Sequence, residues 1–360
     1  MTDKATIEDV AQKAGVAPST VSLALNGKPN VSSETRKAVI KAARELDYQP
    51  HSAAKSLATG QSETIGLLIP IELKSVFSST EFFQKMISGM HRAAGEMGMT
   101  LSLQIVESEE EAIERIEYAA RSNSVSGSVI THPTNEMPYL EVIRKYDYSV
   151  VFLGDPVENV PYVDNDNIDV SRVATEHLIN HGHERIAMLS GPSRFTVSRN
   201  RLMGYRSALE EASLQFQEEL VWESDLNEQS AYETVLANAP EQDFSAMYVS
   251  VEVQGVGALR ALRELELKVP DEVALVVVGE SELAKHLASP LTTVDLNTER
   301  LGYLSAKKLI RIIKGKEEEP HLIVPADLKI RESCGCNRVE TKTGGEKNKN
   351  LTQRRSNIDG

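Results

Sequence analysis

Cysteine is nearly absent: the chain has two in 360 residues, Cys334 and Cys336, one position apart near its C-terminal end. A disulfide-stapled scaffold is therefore excluded, and Cys-x-Cys spacing with no further cysteine does not by itself supply a four-ligand zinc site. Two readings stand for the pair: reduced thiols at a frayed edge, or an intersubunit or redox-sensitive pair. The chain also lacks an apolar run of 18 residues and a signal peptide, since it opens on the polar stretch MTDKATIEDVAQ. A cytoplasmic protein is expected on that basis. No phosphate loop is present and no motif places a Ser-His-Asp or Cys-His set, so catalysis is not expected. Excess positive charge is missing too, the formal net charge being −14.

What is present begins at residue 6. TIEDVAQKAGVAPSTVSLAL reads as two short helices joined at Gly15. Thr6 and Asp9 have the spacing of an acidic capping box, and Ile7, Val10 and Ala11 share one helical face. Gly15 takes the bend, where a residue without Cβ is least strained. Pro18 sits in the tolerated first turn of the second helix, and Val21, Ala24 and Leu25 form its inner face. A third amphipathic run, Glu34 to Leu46, covers the pair through Val39, Ile40, Ala43 and Leu46. Three small helices with Ser19, Thr20 and Ser22 facing outward describe a helix-turn-helix DNA-binding head. The charge distribution agrees. Residues 1–60 carry eight Lys/Arg against six Asp/Glu, and the remainder 31 against 47. DNA contact is thereby confined to the head.

Residues 48–61 read as a hinge. Pro50 ends the third helix, and SAAKSLA offers about two turns, marginal without support from DNA or a second copy. From residue 62 the character changes. Short apolar runs alternate with helical patterns: IGLLIP at 65–70, a helix Phe82–Met97, strands near 101–106, 127–131 and 150–153. A second series runs from about 163 to 290, and a helix Thr298–Lys314 and a strand near 321–325 follow. This repetition predicts parallel sheets covered by helices on both faces.

Many ordered segments of the chain resemble the lactose/galactose repressor (LacI/GalR) family of bacterial transcription regulators. They are TIEDVAQKAGVAPSTVSLALNGKPNVSSETR, LDYQPHSAAKSLATGQSETIGLLIP, VDNDN at 163–167, HLINHGHERIAMLSGP at 177–192, SRNRLMGYRSAL at 198–209, GALRALRELELKVPDEVALVVVG at 257–279, SPLTTVDLNTERLG at 289–302 and RES at 331–333. The resemblance implies an all-α helix-turn-helix head (1–47), a hinge (48–61) and a periplasmic-binding-protein-like α/β body of two doubly wound lobes (62–333). The N-lobe would hold about 62–161 and 293–322, the C-lobe about 163–290 and 323–333. The chain would cross between lobes near 161–164, 290–295 and 322–325, with a disordered tail at 334–360. A sugar-like effector in the cleft would control a homodimer on a palindromic operator.

The same resemblance carries over site residues. In the head these are Thr6, Pro18, Ser19, Thr20, Ser22, Leu23, Asn26, Lys28, Ser33 and Thr35. In the hinge they are His51, Ala54, Lys55 and Leu57, the last as a wedge in a minor-groove step. Leu23 stands where the family usually has Arg, so guanine reading by a bidentate side chain is lost there. For the effector they are Phe77, Phe195, Arg199, Leu226, Glu252 and Glu280, with Arg199 as the arginine that grips ligand. Phe77 and Phe195 stack on a sugar face or fill core, and Asp164 and Asn165 organise a turn or touch ligand. Val251-Glu252 and Gly279-Glu280-Ser281 depart from the family's acid-bearing patterns, so an ordinary free hexose is not the expected effector. His177 and His181 have the i, i+4 spacing of a metal pair, but they sit at a helix C-terminus inside a family motif and are read as structural. A periplasmic sugar carrier shares such a body but not residues 1–60, and no residues point to a sugar-modifying enzyme.

Overall fold

The computed structural model describes residues 5–25, 30–48, 62–70, 81–134, 136–156, 159–316 and 319–336. The chain divides into two compact units, Met1–Glu63 and Thr64–Gly360.

The first unit contains helices α1 (Ile7–Ala14), α2 (Pro18–Leu25) and α3 (Ser33–Glu45). Thr6 closes the capping box on α1: its Oγ donates to Asp9 Oδ2 at 2.8 Å, and its amide donates to the same oxygen at 2.7 Å. Gly15 ends α1 in the left-handed region at φ 68°. Ser32 caps α3 by accepting from the amide of Thr35 at 3.1 Å. The core is small, formed by Val10, Ala11, Val21, Ala24, Val39, Ala42 and Ala43. Ile40, expected on the inner face, is exposed, and Ala42 takes its place because Val39, Ala42 and Ala43 are the positions that phase together. Arg36 donates to the carbonyl of Ala24 at 3.1 Å, fastening α3 to the end of α2.

The second unit is the two-lobed body. Its N-lobe sheet has β1 (Thr64–Pro70), β2 (Thr100–Val106), β3 (Ser128–Thr131), β4 (Val150–Leu153) and β5 (Tyr162–Asp164). With a late strand described below, the order is β11-β5-β4-β3-β1-β2, all parallel. Helices α4 (Glu81–Glu96), α5 (Glu109–Ser122) and α6 (Leu140–Lys145) cover it. The C-lobe follows with α7 (Asn167–Asn180), β6 (Ile186–Ser190), α8 (Thr196–Glu211), β7 (Val221–Glu223), α9 (Glu228–Asn238), β8 (Ala246–Val249), α10 (Glu252–Glu264), β9 (Ala274–Val278), α11 (Glu282–His286) and β10 (Thr292–Asp295). The chain then returns through α12 (Thr298–Ile313), which packs on α4, to β11 (His321–Ile323) in the N-lobe and ends on β12 (Asp327–Lys329) in the C-lobe. The C-lobe order is β12-β10-β9-β8-β6-β7, parallel except for β12 against β10. β3, β4, β8 and β9 are buried along their whole length, as continuous apolar strands between two helix layers must be.

The crossings fall slightly later than expected. Tyr162 still pairs with Phe152 and with His321, so the first crossing comes after Asp164. Thr292–Asp295 pairs with β9 and β12, so residues 293–295 belong to the C-lobe and the second crossing comes after Asp295. The third lies between Ile323 and Asp327. Each time the strand that precedes a crossing completes its ladder in the lobe it leaves. Asn165 joins all three: its side-chain amide donates to Leu296 O at 3.1 Å and to Val324 O at 2.7 Å.

The expected tail boundary at 334 also moves. Cys334 is buried and packs in the main core, and residues up to Cys336 are part of the C-lobe. RES at 331–333 explains why. Ser333 Oγ donates to Leu275 O at 2.6 Å and accepts from the Thr292 amide at 2.8 Å, stapling the segment to β9 and β10.

Candidate effector cleft and DNA-binding head

A cleft with about 950 Å3 of empty space, its open mouth included, lies between the lobes at the carboxyl ends of their strands. That is where open α/β sheets take ligands. Its polar wall is built around Arg201. This side chain is 6 % exposed on α8, with Nε donating to Asn167 Oδ1 at 3.0 Å and Nη1 to the carbonyl of Ser250. These bonds use two of the five N–H donors of a guanidinium. Asn167 in turn donates to Asp164 Oδ2 at 2.7 Å, so the arginine is oriented through a chain of hydrogen bonds.

Burial pushes the Asp164 carboxyl up to about 7, against the amides of Asn165 and Asp155 and the charge of Arg201, which pull it down. His132 faces the same cleft from the end of β3, in the left-handed region at φ 52°. Burial first, and then the charge of Arg201, bring its imidazole down to about 4. Its Nδ1 has no hydrogen-bond partner among the described residues. Phe82, Leu226, Val251 and Leu296 add apolar wall.

The lobes touch across the mouth at two places. Lys85 Nζ of α4 donates to Glu280 O at 2.8 Å, and the Glu282 amide donates to Glu81 Oε1 at 3.0 Å. On the other side Thr196 donates to Pro133 O at 3.3 Å through its hydroxyl.

The residues expected for effector separate into groups. Leu226, Glu252 and Glu280 line the cleft. Glu280 is held by Arg331 in a two-point pair at 2.6 and 3.0 Å and by Thr293, and these bonds outweigh burial and lower its carboxyl. Glu252 is raised by burial, against the hydrogen bond it accepts from Ser281. Phe195 is fully buried core beneath Arg194, outside the cleft wall. Arg199 is the main correction. It is exposed and outside the cleft wall, because two positions on an α-helix are about 200° apart. Arg201 shares its face with Ser198, Tyr205 and Ala208, all buried. That phase was the signal in SRNRLMGYRSAL that points to 201 rather than 199. Phe77 lies outside the described residues.

In the head, Pro18, Ser19 and Leu23 are exposed and Thr20 and Ser22 half-buried on α2. Ser33 is exposed. Thr6 and Thr35 are engaged in the caps of α1 and α3, so their hydroxyls already have partners within the head. Asn26, Lys28, His51, Ala54, Lys55 and Leu57 lie outside the described residues.

A three-helix head followed by a two-lobed body with a cleft matches two family models. Residues 6–51 match the bacterial regulatory proteins of the lacI family, and residues 175–334 match a periplasmic binding protein-like domain. The HTH-type transcriptional regulator CelR of Thermobifida fusca is 36 % identical over 91 % of this chain and 98 % of its own. This chain belongs to the LacI family of transcription regulators. Among solved structures, the transcriptional regulator CelR–cellobiose complex matches with TM-score 0.71 and 33 % identity, covering 91 % of this chain and 99 % of that one. The Lac repressor dimer bound to operator and the anti-inducer ONPF matches with TM-score 0.81 and 26 % identity, over 92 % and 99 %. The LacI-family fold and a DNA-binding regulatory function follow; a lactose or galactose specificity does not.

Proposed function

We propose that this LacI-family member is a cytoplasmic, non-enzymatic repressor that binds a palindromic operator as a homodimer and releases or tightens it when a sugar, a glucoside such as cellobiose, occupies the cleft. The observation that carries the effector part is the buried guanidinium of Arg201, fixed by Asn167 and Ser250 with donors left over. Its remaining N–H groups can donate to the hydroxyl oxygens of a sugar. Asp164, His132 and Glu252 supply further polar contacts, and Phe82, Leu226 and Leu296 the apolar face against which a pyranose ring packs. Closure of the lobes on a ligand would then reset the spacing of the paired heads.

Calorimetry with a panel of mono- and disaccharides tests this. Arg201→Ala is expected to cost about 2–4 kcal/mol of effector affinity, at least roughly thirty-fold, with operator binding kept. Arg199→Ala should stay within a few-fold of the wild type. The reverse pattern would move the site back to residue 199.

A further inference from the structure

Helix α7 ends on His177 and His181, whose rings lie on one face with centroids 4.6 Å apart. The last described residues, Cys334-Gly335-Cys336, return to that face. Gly335, at φ 75°, turns the chain so that the Cys336 sulfur faces the helix. Cys336 Sγ lies 3.2 Å from His177 Nε2. The donor atoms of His177, His181 and Cys336 all fall within 4.8 Å of one another. Cys334 is buried, its thiol donating to the carbonyl of Arg331 at 3.4 Å, and its own carbonyl accepts from the Cys336 thiol at 3.5 Å. His181 Nδ1 is 2.6 Å from the carbonyl of His177, which leaves Nε2 as its free nitrogen. Metal-binding imidazoles are oriented in this way, by a carbonyl on the other ring nitrogen.

None of these groups serves the cleft. His177 is ten residues, about 15 Å of helix, from Asn167, which holds Arg201. Two nitrogens and one sulfur are a borderline-soft donor set that suits zinc and disfavours calcium or magnesium. Tetrahedral zinc, with bonds of about 2.0–2.3 Å, sets its ligand atoms about 3.3–3.8 Å apart. The cluster therefore needs a contraction on the order of 1 Å.

We propose that His177, His181 and Cys336 form a three-ligand Zn2+ site that clips residues 334–336 onto the C-lobe. Binding displaces the thiol proton of Cys336, so affinity rises with pH through the neutral range. The sequence read the histidines as structural, because they end a helix inside a family motif, and the Cys-x-Cys pair as too few ligands for a zinc site. His-x3-His and Cys-x-Cys lie about 155 positions apart, and the staple formed by Ser333 holds the second on the C-lobe.

The test uses the full-length protein, stripped by a chelator under reducing conditions and titrated with Zn2+ and, separately, Co2+. One metal per chain is expected, with the near-ultraviolet thiolate band and the intense visible bands of tetrahedral Co2+. His181 is exposed and Cys336 is only half-buried, so His181→Ala and Cys336→Ser should fold. Each should lose at least about 100-fold in Zn2+ affinity, whereas His286→Ala, at the distant end of α11, should lose none. Sub-stoichiometric binding, a Co2+ spectrum without the thiolate band, or unchanged affinity in both variants would overturn the site. So would a Cys334–Cys336 disulfide that persists beside the reductant in place of metal.

Discussion

Asp164 is a carboxyl surrounded by donors and still raised to about 7, because it is cut off from water at the first lobe crossing. The sign of its effect on stability follows from linkage. The folded state holds this proton more tightly than the unfolded chain, whose carboxyl titrates near 3.8. The contribution is therefore fully present below about pH 4 and is lost as pH rises through about 7. Between pH 6 and 8 the thermal midpoint of the wild type should fall relative to that of Asp164→Asn, whatever the offset between them. Parallel pH profiles would show that Asp164 is ionised throughout. The residues of the cleft were legible unevenly. Leu226, Glu252 and Glu280 follow from motif position alone. Arg201 needed the helical phase, because an arginine at 199 satisfies the same short pattern on the opposite face. Nothing in the sequence announces that Glu280 is already neutralised by Arg331, since 51 positions separate them.

Among elements, α4 and α12 meet backbone to backbone. A Cβ on Gly302 would lie 2.0 Å from the carbonyl of Met86, and one on Gly89 would lie 2.0 Å from that of Glu299. The two glycines let the helix backbones meet, and neither atom they meet can swing aside. Gly302→Ala should therefore cost about 2–3 kcal/mol in urea unfolding of the body, despite its gain in helix propensity. An unchanged midpoint would mean that the helices separate without penalty. Gly15→Ala is the contrast. Space around it is open, so only its left-handed φ resists the change, at about 1 kcal/mol. β8 and β9 were readable because two-sided packing makes them apolar throughout, and α12 because its apolar residues recur at helical spacing on one face. β7 and β12, of three residues each at sheet edges, were not. Each has one strand neighbour and is only partly buried, so neither shows an apolar run.

At the scale of the whole molecule, charge is divided between a head of +2 and a remainder of −16. Operator affinity should fall with salt by a log–log slope of several units, set by about six phosphate contacts in a dimer at about 0.9 each. A fluorescence-anisotropy series that is flat in salt, or equal on operator and random DNA, would remove the head as the DNA-reading element. Between the lobes, three chain segments cross and one side chain, Asn165, holds the other two crossings by their carbonyls. Three independent straps would allow the lobes to slide, twist and open separately. Three straps tied at one knot leave chiefly a swing about that knot. Cleft opening then becomes a single angle, and a ligand anywhere along the wall can do no more than set its value. A regulator built so reports occupancy as one number, and sugars of different shape that close it equally far are read by the operator as the same signal.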